Sequence, residues 1–228
     1  MITAHHLVFG KYTQPIPTDY ILTYDFNGNF NEKNGINNLV QNGTVTFTTD
    51  RKGGNKAIQL GSGYLQTANN LPISNVWSIS YWVKSTFLTT KYQHHVLLAP
   101  VNNGDKIFLS GINYNAKDNQ FMGYILMNNI ANQRNLGGTI GLTAHDNTWK
   151  HVVMIFDTTQ PALNEVKIYV NGVLKSLTKI ENEDNTYSFS PLKFAIGWSD
   201  LAYKGALSDV KLYNRVLNQT EITNLYNE

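Results

Sequence analysis

Three kinds of side chain in this 228-residue sequence could do chemistry: acids spaced for paired work, histidines, and aromatic rings set among amides and carboxylates. Retaining glycoside hydrolysis needs two carboxyls about 5–5.5 Å apart, which alternate positions on one strand can supply because they share a face. The nearest approach to that spacing is Glu181-x-Glu183-Asp184, flanked by Asn182 and Asn185 in a polar stretch. A solvated acidic turn is the simpler reading. His5-His6 are adjacent, and adjacent residues on an extended chain point to opposite sides. His94-His95 stand at a strand start, and His151 lies in an apolar run where a packed histidine is expected. There is no H-E-x-x-H, no G-x-S-x-G and no glycine loop of the phosphate-cradling kind, so no enzymatic activity is expected. The aromatic rings remain. Sugars offer both C–H faces and hydroxyls, so a glycan site combines an aromatic platform with Asn, Asp and main-chain donors. Trp77, Trp82 and Trp149 fall on patterned strands, where burial is the default. Trp198 instead follows Ile196-Gly197 at a strand end and precedes Ser199-Asp200, with Tyr203 close by. Trp198, Asp200 and Tyr203 are the candidate ligand-binding residues; the alternative is an edge tryptophan capping the core.

The elements that must hold these residues are strands. Trp149–Asp157 (W-K-H-V-V-M-I-F-D) is an apolar run suited to burial on both faces, and Val166–Val170 alternates Val, Ile and Val against Lys and Tyr. Strict alternation argues for a half-buried strand. Asn171-Gly172 supplies the two positive φ angles of a type I′ hairpin, and Val173-Leu174 resumes the strand. Further runs predict strands at Ile21–Phe26, Thr44–Thr48, Ala57–Leu60, Tyr64–Thr67, Trp77–Lys84, Val96–Pro100, Lys106–Gly111, Gln120–Met127, Leu192–Trp198 and Gly205–Tyr213. The pair Ala57–Leu60 and Tyr64–Thr67 reads as a hairpin across Gly61-Ser62-Gly63, and Gly137-Gly138 read as turn glycines. Trp77, Ile79, Tyr81 and Val83 share one face and Ser78, Ser80, Trp82 and Lys84 the other, which predicts a central strand covered on both sides. Asn218 with Glu221 makes a capping box for a short helix over Thr220–Tyr226. The sum is an all-β fold: a two-sheet antiparallel jelly-roll sandwich with a short C-terminal helix. Residues 1–18 read as an arm, stiffened by Pro15 and Pro17, and residues 19–228 as one domain.

Composition narrows the partners. Lys and Arg number 18 against 16 Asp and Glu, with no dense basic patch, so nucleic acid is not an expected partner. No cysteine is present, which removes disulfides, thiol catalysis and Cys-ligated zinc. No apolar run approaches the roughly 18 residues of a membrane span, and no membrane insertion is expected. The first dozen residues lack the basic and apolar regions of a secretory signal.

Y-D-F-N-G-N at Tyr24–Asn29, W-S-I-S-Y-W-V-K at Trp77–Lys84, the Trp149–Leu174 meander and G-A-L-S-D-V-K-L-Y-N-R-V-L-N-Q-T-E-I from Gly205 come in a recognisable order. Together they resemble the concanavalin A-like lectin/glucanase superfamily, in its laminin-G-like jelly-roll branch found in bacterial and phage proteins. The resemblance covers residues 20–227. Members often read N-x-x-D-x-S-G in the first loop, where this chain has Asn29-Phe30-Asn31-Glu32-Lys33-Asn34-Gly35, and Phe-Asp-Gly before the second hairpin, where Leu60 runs directly into Gly61. The resemblance implies a structural calcium in some members, for which Asp25, Asn27 and Asp209 would be the donors here. The alternative is that Asp25 and Asp209 are turn and strand-end residues satisfied by backbone N–H groups. It also implies a non-catalytic carbohydrate-binding or adhesion module, with a glycan or virion and surface proteins as partners and an oligomer possible, at a virion or extracellular surface. The alternative is a purely structural capsid or tail decoration protein docked through its arm, and a glycoside hydrolase or lyase ranks third.

Overall fold

The alternation around Trp77 becomes strand β6, Val76–Ser85, and its faces separate as the pattern requires. Trp77, Ile79, Tyr81 and Val83 enter the main core. Trp82 lies on the opposite face and is buried as well. In this computed structural model β6 is the hub of the first of two antiparallel sheets. The structure describes residues 15–72, 75–85, 92–100, 107–115, 118–126, 134–139, 144, 146–161, 164–178, 192–197, 203 and 205–228.

The first sheet runs β13 (Val173–Leu174), β12 (Val166–Val170), β11 (Trp149–Asp157), β6, β16 (Gly205–Tyr213), β4 (Ala57–Leu60) and β3 (Val45–Thr48). The short β1 (Leu22–Tyr24) pairs with the far end of β16, Leu22 opposite Leu212. The second sheet runs β14 (Leu177–Thr178), β10 (Arg134–Thr139), β9 (Asp118–Leu126), β8 (Ile107–Asn115), β7 (Tyr92–Pro100), β15 (Leu192–Ile196), β5 (Tyr64–Thr67) and β2 (Leu39–Asn42). Across the interface Tyr24 of the first sheet stacks on Phe194 of the second at 5.9 Å between centroids, and within the first sheet Trp77 stacks on its cross-strand neighbour Phe156 at 4.1 Å; Tyr24 also stacks on Phe26 at 6.1 Å. Offset stacks of this kind add about 0.5–1.5 kcal/mol beyond their buried area.

The β11–β12–β13 meander forms as expected, with Asn171 and Gly172 at φ 52 and 77 in the turn. Helix α1 spans Gln219–Asn227 and carries the capping box: the Asn218 side chain accepts the Glu221 N–H, and the Glu221 side chain accepts the Asn218 N–H. It covers the outer face of the first sheet. Ile222 and Leu225 join Val153, Ile155, Tyr169, Tyr213 and Leu217 in a second cluster, which accounts for the burial of β11 on both faces.

Two expectations are corrected. Ala57–Leu60 and Tyr64–Thr67 do not form a hairpin. β4 pairs with β16 and β3, whereas β5 pairs with β15 and β2, so the chain changes sheet across Gly61–Gly63. A second crossing between β2, which the sequence reading lacked, and β3 runs beside it. A Cβ on Gly63 would lie 2.4 Å from the Asn42 carbonyl oxygen, and one on Gly43 would lie 2.8 Å from the Gly63 Cα. Backbone contact requires glycine at both positions, and Gly43 also holds φ 73. Gly137-Gly138 sit within strand β10, where the register against β9 shifts between Asn135 and Gly138.

Of the arm, residues 15–18 are described and lie against the body. Arg215 donates to both oxygens of Asp19 at 2.6 and 2.7 Å and to both oxygens of Glu221 at 2.8 and 2.9 Å. The Tyr213 hydroxyl donates to the Pro17 carbonyl at 3.2 Å, and Ile16 and Tyr20 pack on the outer cluster. His5-His6 lie outside the described residues.

Candidate binding site

The first loop, residues 25–38, is built around a buried acid. Glu32 is 3% exposed, and its carboxylate accepts the N–H groups of Asn34 at 2.8 Å and Thr23 at 3.3 Å. Its own N–H donates to Asn38 Oδ1 at 3.0 Å, and its carbonyl accepts the Gly35 N–H. A charged acceptor makes the stronger class of backbone hydrogen bond, so the loop is pinned at its centre while Asn27, Asn29, Asn31 and Asn34 stay exposed. Phe26 holds φ 49 at the entry, a strained conformation for a bulky residue stabilised by its stack on Tyr24.

Two cavities meet at this loop. One, of about 470 Å³, is lined by the loop itself, including Asn27, Asn29, Asn31, Asn34 and Asn38. The other, of about 360 Å³, lies between the docked segment, β1, β16 and the turn after β3. Asp25 and Lys33 line both, so the two cavities adjoin at these side chains. The second cavity also collects Lys52, Lys56, Lys211, Asp50, Asp209 and Glu228, with Tyr20 in its wall.

Most of its acids are engaged within the protein. Asp50 accepts the N–H groups of Lys52 and Gly54 at 2.7 and 3.0 Å, which shapes the Asp50–Gly54 turn. Glu228 is ion-paired with Lys211. Asp209 sits at φ 50 in a bulge of β16 against β6. It accepts the Ser208 hydroxyl at 3.2 Å and stands 3.8 Å from Arg51. Burial pushes its carboxyl above the usual carboxylate range despite the opposing pull of Arg51 and Lys211. Lys33 lies over the Tyr20 ring at 5.8 Å, and the Tyr20 hydroxyl raises its pKa.

The residues expected to hold calcium are thus partly assembled. Asp25 and Asp209 share a cavity, whereas Asn27 lines only the neighbouring one. Calcium takes about six to eight oxygen ligands. Among the described residues no three His, Asp or Glu side chains come together as a metal cage, and four lysines line the cavity that holds Asp25 and Asp209. The donor set does not fit calcium.

Of the expected ligand-binding residues, Trp198 and Asp200 lie outside the described residues. Tyr203 is a correction. It is fully buried, its hydroxyl donates to the Lys84 carbonyl at 2.6 Å, and its ring packs edge-on to His95 at 4.4 Å. A Cβ on Gly205 would lie 2.1 Å from that hydroxyl oxygen, so the glycine leaves the room that the buried ring occupies. Glu181, Glu183 and Asp184 lie outside the described residues. His151 is buried, with Nε2 2.8 Å from Ser80 Oγ and Trp82 and Tyr226 packed over its ring. Lys33, Lys52 and Lys56 were not anticipated as site residues; nothing in their local sequence marks them.

Comparison with known proteins follows the fold. A botulinum neurotoxin type G from Clostridium botulinum is 23% identical over 256 aligned positions, covering 96% of this chain and 18% of the toxin. Domain 4 of AbnA, an extracellular GH43 arabinanase from Geobacillus stearothermophilus solved with arabinotriose, superposes with a TM-score of 0.69 at 21% identity, covering 91% of this chain and 98% of that domain. The binding domain of botulinum neurotoxin DC, solved with rat synaptotagmin II, gives 0.64 at 16% identity. That match covers 92% of this chain and 51% of the toxin domain. The chain therefore spans about half of such a toxin binding domain and under a fifth of the toxin. At these identities the likeness is one of fold. Residues 52–223 match the family model described as the concanavalin A-like lectin/glucanases superfamily, and the chain belongs to that superfamily.

Proposed function

We propose that this chain is a non-catalytic carbohydrate-binding module serving adhesion at an extracellular or virion surface. The observation that carries the reading is the groove formed by the two adjoining cavities, lined by asparagine amides, carboxylates and lysines and bordered by Tyr20. Saccharide hydroxyls are donors and acceptors at once, and amide side chains satisfy both roles. Glu32 holds the loop from below, so the amides need little ordering when a ligand arrives, which limits the entropic cost of binding. The arabinotriose complex of the AbnA domain, which covers nearly the whole of this fold, supports the same ligand class. The groove carboxylates are engaged in a turn or in ion pairs, apart from Asp25, which fits binding better than acid–base chemistry. No membrane-spanning helix is found among the described residues, consistent with attachment through binding.

The test is a glycan array followed by calorimetry on the full chain and on the exposed-residue variant Asn27→Ala/Asn31→Ala. Saturable binding that weakens at least tenfold in the variant is expected. Binding unchanged in the variant, or none to any saccharide, overturns the assignment.

A further inference from the structure

The two ends of the groove differ in charge. The loop end is lined mainly by amides, whereas the cavity under the docked segment holds four lysines, Lys33, Lys52, Lys56 and Lys211. The acids there are Asp25, Asp50, Asp209 and Glu228, so the formal charges cancel. Their availability does not cancel. Glu228 is taken by Lys211 through its side chain and by Lys52 through its backbone carbonyl. Asp50 is turned into its own loop, and Asp209 is half-buried, accepts the Ser208 hydroxyl and faces Arg51 at 3.8 Å. Lys33 and Lys56 are exposed, and neither forms an ion pair among the described residues. The accessible balance is therefore two ammonium groups against Asp25.

We propose that this cavity binds the anionic group of an acidic saccharide, a sugar residue bearing a carboxylate or sulfate, with Lys33 and Lys56 meeting the anion and Asp25 accepting a ring hydroxyl. The inference rests on the carbohydrate-binding reading of the same groove and adds the ligand's charge. A cavity of about 360 Å³ falls within the range of small-ligand sites. Hydrogen bonds between ionised partners are about twice as strong as neutral ones, and the walls formed by Ile16, Pro17 and Tyr20 shield the anion from part of the solvent. The cavity that fails as a calcium site is, by the same lysines, suited to an anion.

The experiment titrates the full chain with uronate- and sialate-bearing oligosaccharides, each beside its methyl ester, and with sulfated oligosaccharides beside their desulfated forms. Binding of an acid form at least tenfold tighter than its neutral partner is expected, weakening as salt is raised. The carboxylate and sulfate arms tell the two anions apart. Lys33→Gln and Lys56→Gln should each weaken acid binding about tenfold and the neutral partner by much less, so that the ratio of acid to neutral affinity falls, with thermal unfolding confirming that both variants fold. Equal affinity for acid and neutral partners, or acid binding that survives the double lysine variant, overturns the inference and leaves the carbohydrate-binding reading standing. No binding by either form overturns both.

Discussion

Acid should weaken this fold well before its ordinary carboxylates protonate, because two histidines are kept neutral. His151 is buried beneath Trp82 and Tyr226, and its pKa is lowered to about 3, first by burial and then by the charges of Lys211 and Arg51. His94 is lowered to about 4 by burial. Both folded pKa values lie below the unfolded value of about 6.5, so between roughly pH 6.5 and 4 the unfolded chain binds more protons and stability falls as pH falls. From pH 7 to pH 5 each group should lose about 2 kcal/mol, or about 4 kcal/mol together. Against a total of about 5–15 kcal/mol for a domain, that is a large fraction. Asp209 acts with the opposite sign: its raised pKa means that the folded state takes up a proton first, which offsets part of the loss in acid. The depressed carboxyls of Asp19 and Glu221 titrate below this window. The assay is urea unfolding followed by tryptophan fluorescence at pH 7, 6 and 5, on the native chain and on His151→Gln. The variant should be less stable at pH 7, through altered packing against Ser80, yet lose about half as much between pH 7 and 5. A native chain whose stability is flat across that range would refute the reasoning. So would a variant with an unchanged slope.

Gly63→Ala should cost more than about 2 kcal/mol, since the new Cβ would press on backbone at both Asn42 and Thr44; thermal unfolding reads the loss, and an unchanged midpoint refutes it. Glu32→Ala should cost about 2–3 kcal/mol by leaving the Asn34 and buried Thr23 N–H groups without their acceptor. It should also speed amide exchange across residues 25–38, and exchange that stays slow there would show that other contacts hold the loop.

Local structure was legible wherever one short segment decides it. The Asn171-Gly172 turn, the Asn218–Glu221 capping box and the two faces of β6 all depend on neighbours within a few residues, and the structure has each of them. The Gly61–Gly63 crossing was not legible for the same physical reason. A glycine-bounded turn between two short runs looks alike whether the second run folds back on the first or passes to the other sheet, and the choice is made by β15 and β16, more than 120 residues away. Tyr203 was misplaced because its environment is set by Lys84 and His95, which no local pattern around it announces. The meeting of Asp25 with Asp209 could be anticipated from the family order of motifs. The lysines beside them could not, because each comes from a different segment and exposed lysines carry no periodicity.

The position of β16 has a consequence for how the chain is made. This late strand stands inside the first sheet, joined to β6 along one edge and to β4 and β1 along the other. Until it is synthesised, β6, β11 and β12 on one side and β3 and β4 on the other are separate ribbons, each with an open edge of unpaired backbone. A nascent chain halted before residue 205 would expose both edges at once, and native pairing would have to wait for β16 to emerge. Pairings this distant in sequence form slowly. The interval between the emergence of β4 and the arrival of β16 is therefore when this protein is most exposed to aggregation on the ribosome and most in need of a chaperone.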